Sequence, residues 1–258
     1  MAFRSILLAW CLMWFGSLAH AQSPQLGIVI MHGKGGSPSG LVSTLAEGLQ
    51  TRGYLVSNLD MPWSGRRHYD VDVAHAQREV EAAILSLRQQ GAQKVFVAGH
   101  SQGGVFAMYL AGVLPVDGVI AMSPGGNVAS AGFREKLGET VAQARQLQAT
   151  GQGDVTVGLN DYEGSRGLFT VITTPNIYLS WFDPEGAMNL EYSVLAAKVP
   201  ILWTVAKNDY PALRQVNIPL YSKLPANPSN HYYESDSDHK GAPTADMDEI
   251  VRWTHELK

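Results

Sequence analysis

The segment Lys94-Val95-Phe96-Val97-Ala98-Gly99-His100-Ser101-Gln102-Gly103-Gly104 leaves the chain few choices of fold. Its first five residues form an apolar run of β-branched and aromatic type, the composition of a strand buried on both faces. Val105-Phe106-Ala107-Met108-Tyr109-Leu110 then supplies helix-compatible residues. Between the two stands Ser101, with Gly99 two positions before it and Gly103 two positions after it. The spacing is steric in origin. A serine held in a strained strand-to-helix turn needs bare neighbours, because a Cβ at either flank collides with the adjoining strand and helix. Its hydroxyl is then held clear of the sheet at a helix N-terminus, where developing negative charge is favoured.

The surrounding pattern agrees with that turn. Leu26-Gly27-Ile28-Val29-Ile30-Met31 reads as a first strand, followed by the glycine-rich turn His32-Gly33-Lys34-Gly35-Gly36 and a helix over residues 39–52. A second strand covers residues 54–58. Val73, Ala76, Val80, Ala83, Ile84 and Leu87 mark an amphipathic helix that stops at Gly91. Strand, helix, strand, helix, strand in this order predicts an α/β fold, with a mostly parallel sheet and helices on both faces. A fourth strand is expected over Gly118–Met122, a fifth over residues 200–206 and a last one over residues 231–235, before a terminal helix marked by Met247, Ile250, Val251 and Thr254.

The chain has 258 residues, enough for one such domain with an insertion, and it carries no internal repeat. A formal charge of −4 without any basic run argues against a nucleic-acid partner. Residues 1–21 read as a secretory signal peptide: Arg4 gives a positive start, Ile6 to Leu18 is an apolar run of 13 residues, and Ala19-His20-Ala21 is a cleavage motif. A run that short does not span a bilayer comfortably, so no stable membrane anchor is expected after cleavage between Ala21 and Gln22. The expected location is secreted or periplasmic, and the mature domain is 22–258. Cleavage removes Cys11, the single cysteine, which leaves no disulfide, thiol nucleophile or cysteine-based metal site.

The Gly-His-Ser-Gln-Gly elbow between a strand and a helix resembles that of the α/β-hydrolase family, and the resemblance extends by pattern over nearly the whole mature chain. It implies a serine nucleophile at Ser101 and an oxyanion hole built from the N–H of Gln102 and one N–H of the His32–Gly36 turn, for which Lys34 is favoured. It also implies the chain order Ser, Asp, His, each partner in a loop at the carboxyl end of a strand. A serine hydroxyl needs a base near neutral pH, and an imidazole needs a carboxylate to fix its tautomer. Asp209 lies three residues past the fifth strand and His239 four past the last, so these complete the expected catalytic set. Asp183 falls in the insertion, Asp117 at the wrong end of its strand, and Asp236 and Asp238 too near His239 in sequence. His32 reads as steadying the glycine turn by hydrogen bonding, and His75, His100, His231 and His255 read as packing or surface residues.

Between the fourth and fifth strands, over about residues 127–198, regular alternation stops. A helix is expected near residues 133–148, and the resemblance implies a helical or irregular cap over the nucleophile. Tyr178, Trp181 and Phe182 in this stretch either touch substrate or form the cap's own core, and Trp63, in the long connection after the second strand, either touches substrate or belongs to a surface loop. Competing motifs fail: Pro38 stands where a dinucleotide-binding loop needs its third glycine, no Gly-Lys-Ser/Thr phosphate loop occurs, and no His-Glu-x-x-His occurs. Neither a metal nor a cofactor is implied. The expected activity is hydrolysis of a small-molecule carboxylic ester through an acyl-enzyme. Thioesters, amides or peptides are the alternatives within the same fold, and a non-catalytic binding protein is the alternative outside enzymes.

Overall fold

The computed structural model describes residues 25–257, so the expected leader over residues 1–21 and its expected cleavage point lie outside the described residues. The chain begins with β1 (Leu26–Met31), α1 (Ser43–Thr51), β2 (Leu55–Leu59), α2 (Val73–Gln89), β3 (Lys94–His100), α3 (Gln102–Val113) and β4 (Gly118–Met122). An insertion follows, made of α4 (Ala131–Ala149), β5 (Val157–Glu163), β6 (Gly167–Thr173), α5 (Pro175–Phe182) and α6 (Leu190–Ala196). The chain closes with β7 (Ile201–Asn208), α7 (Pro211–Tyr221), β8 (His231–Asp238), α8 (Ala242–Ala245) and α9 (Met247–Glu256).

Six strands form the main sheet in the order β2-β1-β3-β4-β7-β8. All five pairings are parallel, with Met31 opposite Gly99 and Ala121 opposite Trp203. A parallel sheet sends every carboxyl end to one edge, and that edge collects the loops where sites form. Strand periodicity divides the core in two. Val29, Met31, Val97, Ala121 and Trp203 face α2, α3 and the insertion, whereas Ile28, Ile30, Ala98, Ile120 and Leu202 face α1 and α9. Gly118 is a packing necessity, because a Cβ there would lie 2.7 Å from the Trp253 ring of α9. Among the described residues no helix is long and apolar enough to cross a membrane.

The structure departs from the sequence expectations at four places. Turns at Ser37–Gly40 and Gly40–Ser43 delay α1 to Ser43. β8 runs on to Asp238, which pairs with Asn208 past an irregularity in the ladder. Helix α7, not anticipated, buries Asn217 and Leu220 and contains Pro219. The cap is not helical and irregular alone: β5 and β6 form an antiparallel hairpin, with Asp161 opposite Phe169. Leu159 and Asp161 alternate inward on one strand, Val171 and Thr173 on the other, and Gly167 at φ 77° opens β6. Helix α6 lies against α3, where Gly112 lets Ala196 approach to about a van der Waals contact.

Candidate active site

Ser101 occupies the strand-to-helix turn with φ 55° and ψ −116°, a left-handed conformation that a non-glycine residue adopts only under constraint. The two glycines permit it. A Cβ on Gly99 would overlap the Gly103 carbonyl, and one on Gly103 would lie 2.6 Å from the Met31 carbonyl oxygen of β1. The Ser101 carbonyl caps α3 by accepting from the N–H groups of Gly104 and Val105, at 2.9 and 3.1 Å.

Asp209 and His239 converge at the same edge from the loops after β7 and β8. The His239 Nδ1–H donates to Asp209 Oδ1 at 2.9 Å, and Asp209 is 5% exposed. The same Oδ1 accepts the Tyr210 N–H at 2.7 Å, which fixes the carboxylate plane. The His239 ring lies 4.9 Å, centroid to centroid, from that of His100, the residue directly before Ser101, and 5.1 Å from that of Tyr210. Among the described residues no hydrogen bond joins Ser101 Oγ to His239. Catalytic hydrogen bonds are commonly long without substrate and tighten when it binds.

The His32–Gly36 turn faces the serine. A Cβ on Gly33 would meet Ser101 Cβ at 3.2 Å, so the glycine allows the turn its close approach. The turn is clamped: Gly35 N–H donates to the Trp63 carbonyl at 2.8 Å, and His32 accepts the Met61 N–H at 3.0 Å while its Nδ1–H donates to the Gly33 carbonyl at 2.8 Å. Burial lowers the His32 pKa, which keeps it neutral in this role. Among the described residues the backbone N–H groups of Lys34 and Gln102 make no hydrogen bond to an acceptor.

The four aromatic candidates pack against one another and against the core. Trp63 donates its Nε1–H to the His32 carbonyl and packs edge-on against Phe106 and Trp181. Trp181 donates to the Val71 carbonyl, Tyr178 donates to the Asn160 carbonyl, and Phe182 stacks on Tyr178. All four are buried. They form the seam between cap and sheet. Phe182 also borders a crevice of about 130 Å³ with Phe133, Leu137 and Val141. On the other side an open groove leads away from the turn past Gly35, Ser37, Asp60, Arg66, Lys240 and Thr244.

Sequence reasoning missed a buried polar group in the cap. Asp161 is fully buried and accepts from Lys34 Nζ, from Tyr69 Oη at 3.0 Å and from the N–H of Tyr162 at 2.6 Å. The one available signal was a lysine in a glycine turn without a local acid. Of the other histidines, His231 pairs with Glu249 at 2.9 Å, His255 packs edge-on against Tyr54, and His75 is exposed on α2. Among the described residues no group of three or more His, Cys, Asp or Glu side chains is arranged to hold a metal.

The family model of the alpha/beta hydrolases matches residues 28–256. Among solved structures, a monoacylglycerol lipase of Paleococcus ferrophilus is 22% identical over 90% of this chain and 95% of its own, with TM-score 0.60. Est1E from Butyrivibrio proteoclasticus, solved with bound ferulic acid, is 14% identical over 93% and 92%, with TM-score 0.62. A thioesterase domain from the curacin biosynthetic pathway is 16% identical over 88% and 91%, with TM-score 0.55. No curated protein matches the chain. The match over almost the entire described chain, together with the strained serine elbow on a parallel sheet, places this protein in the alpha/beta hydrolase family.

Proposed function

We propose that the protein is a serine hydrolase that cleaves carboxylic esters through an acyl-enzyme on Ser101, with His239 as the base and Asp209 as its orienting carboxylate. The observation that carries this reading is the 2.9 Å Asp209–His239 contact beside a serine in the strained elbow conformation. Because Asp209 takes the Nδ1–H, the His239 Nε2 lone pair is the free acceptor. Ser101 Oγ attacks the acyl carbon as its proton passes to Nε2, and the carbonyl oxygen becomes an oxyanion accepted by the N–H groups of Lys34 and Gln102. Collapse breaks the ester C–O bond while Nε2–H protonates the departing alkoxide. Water then repeats the sequence: its proton goes to Nε2, its oxygen attacks the acyl carbon, and the proton returns to Ser101 as the acid leaves.

The leader motif supports a secreted or periplasmic location for the same enzyme, which N-terminal sequencing of the mature protein tests through a start at Gln22. The activity is tested with chromogenic esters of increasing acyl length, alongside thioester and anilide analogues. Turnover of esters that Ser101→Ala abolishes is the expected result. Faster turnover of thioesters or anilides would move the substrate class, and turnover that survives Ser101→Ala would remove the serine from the mechanism.

A further inference from the structure

We propose that Asp161, on cap strand β5, is a positioning residue that holds both donors of the oxyanion hole, so that the hole is completed by the cap and not by the sheet edge alone. The inference rests on the reading of Lys34 and Gln102 given above. One buried carboxylate reaches both residues by separate arms. In the first, Lys34 Nζ donates to Asp161 Oδ1 and to the Tyr162 carbonyl, the latter at 3.1 Å, and lies 5.2 Å from the Phe133 ring centroid and 5.4 Å from that of Phe182. In the second, Gln102 Nε2 donates to Tyr69 Oη at 3.1 Å, and Tyr69 in turn donates to Asp161 Oδ2 at 3.0 Å.

The arrangement is costly to maintain, which argues for a role beyond adhesion. Lys34 and Asp161 side chains are 9% and 0% exposed, and a buried ion pair is commonly no more stable than apolar side chains of similar volume. Tyr69 sits at φ 55°, a strained backbone for an aromatic residue, and Thr173 Oγ1 holds it there by donating to its carbonyl at 2.8 Å. The cap has other attachments to the same connection: Trp181 Nε1–H donates to the Val71 carbonyl and the Val73 N–H donates to Ser180 Oγ. Burial and the neighbouring Asp161 charge raise the Tyr69 pKa well above the usual tyrosine range, so its hydroxyl remains a donor. What the network does accomplish is to pull on the side chains of the two residues whose N–H groups lack acceptors. Fixing those side chains fixes the peptide planes, and oxyanion donors act only when pre-aimed.

The test separates positioning from adhesion. In Lys34→Met/Asp161→Leu the ion pair is replaced by apolar side chains, which restores the balance of buried charge. The expected result is a thermal midpoint within a few degrees of wild type, kcat lowered at least about tenfold, KM within about threefold, and binding of an alkyl boronic acid weakened by the same factor as kcat. A boronate forms a tetrahedral adduct whose oxygen occupies the hole, whereas KM for an ester does not report on it. Wild-type kcat and boronate affinity in that folded variant would overturn the proposal. If the double variant does not fold, Tyr69→Phe cuts the Gln102 arm alone: a parallel severalfold loss of kcat and boronate affinity supports the proposal, and unchanged values overturn it. Ser101→Ala is assayed alongside; if it retains turnover, the underlying reading of the site fails, whereas an inactive Ser101→Ala with an unaffected Tyr69→Phe sinks the Asp161 role alone.

Discussion

The Nε2–H of His100 donates to the backbone carbonyl of His239 across 2.8 Å, so the residue before Ser101 holds the loop that carries His239. His100 is buried, and desolvation lowers its pKa to about 4, which leaves the neutral ring with its proton on Nε2 for this bond. Its Nδ1 is buried without a partner. In His100→Phe a slightly larger aromatic ring replaces the imidazole and the donor is lost, and the expected outcome is kcat lowered on the order of tenfold with a modest fall in thermal midpoint. His100→Gln, which regains an N–H donor, is expected to recover part of the rate. Steady-state kinetics of both variants, with circular dichroism as the control for folding, checks this.

Asp209 is expected to matter through orientation. Its Oδ1 fixes the proton on His239 Nδ1, while its Oδ2 is buried without a partner. Asp209→Asn offers an amide of the same shape that favours the opposite tautomer, and kcat is expected to fall about 10³-fold or more with the fold intact. A loss of less than tenfold would assign the orienting role to another group.

Gly99→Ala is expected to fail structurally. The new methyl would overlap the Gly103 carbonyl, which is backbone and has nowhere to move between β1 and α3. Destabilisation of roughly 3 kcal/mol or more is expected, read as a lower denaturation midpoint or as insoluble protein. Gly132→Ala, on an open stretch of α4 where a Cβ meets nothing within 4 Å, serves as the control and is expected to be neutral or mildly stabilising.

Two buried groups give opposite pH slopes. Asp246, between α8 and α9, accepts the Thr204 hydroxyl, yet burial pushes its carboxyl up from 3.8 to about 6. The folded chain therefore binds that proton more tightly than the unfolded chain. Its contribution is present below about pH 4 and is lost as pH rises through about 6. His100 runs the other way: its folded pKa of about 4 lies below its ordinary 6.5, so stability is lost as pH falls from 6.5 toward 4. Asp246→Asn removes the first slope. Urea denaturation is expected to show the variant gaining on wild type between pH 4 and 6.5, by on the order of 2 kcal/mol, and holding that gain above. A gap independent of pH would mean that Asp246 is ionised throughout.

Local rules made the elbow and the first four strands readable in the sequence, because a buried strand and a pair of flanking glycines are fixed by residues within a few positions of Ser101. Asp209 and His239 were readable at one remove, through the loops after successive strands. The β5–β6 hairpin escaped because its inward positions are Leu159, Asp161, Val171 and Thr173, a pattern half polar and therefore without a clear apolar face. Helix α7 escaped for a related reason: it buries Asn217, whose side chain bonds the Pro124 carbonyl and Trp203, and it holds Pro219 in its last turn. The Lys34–Asp161 pair joins positions 127 residues apart, a distance no periodicity spans. Trp63, Tyr178 and Trp181 were identifiable as large apolar groups, but their burial against one another follows from the cap's tertiary placement.

The most direct test of the central claim is covalent. The folded protein is incubated with a fluorophosphonate, digested, and the adduct mapped by mass spectrometry. The expected result is one adduct per chain, on the peptide containing Ser101, absent in Ser101→Ala and formed at least about 100-fold more slowly in His239→Ala. An adduct on another residue, no adduct on well-folded protein, or an undiminished rate in His239→Ala would contradict it.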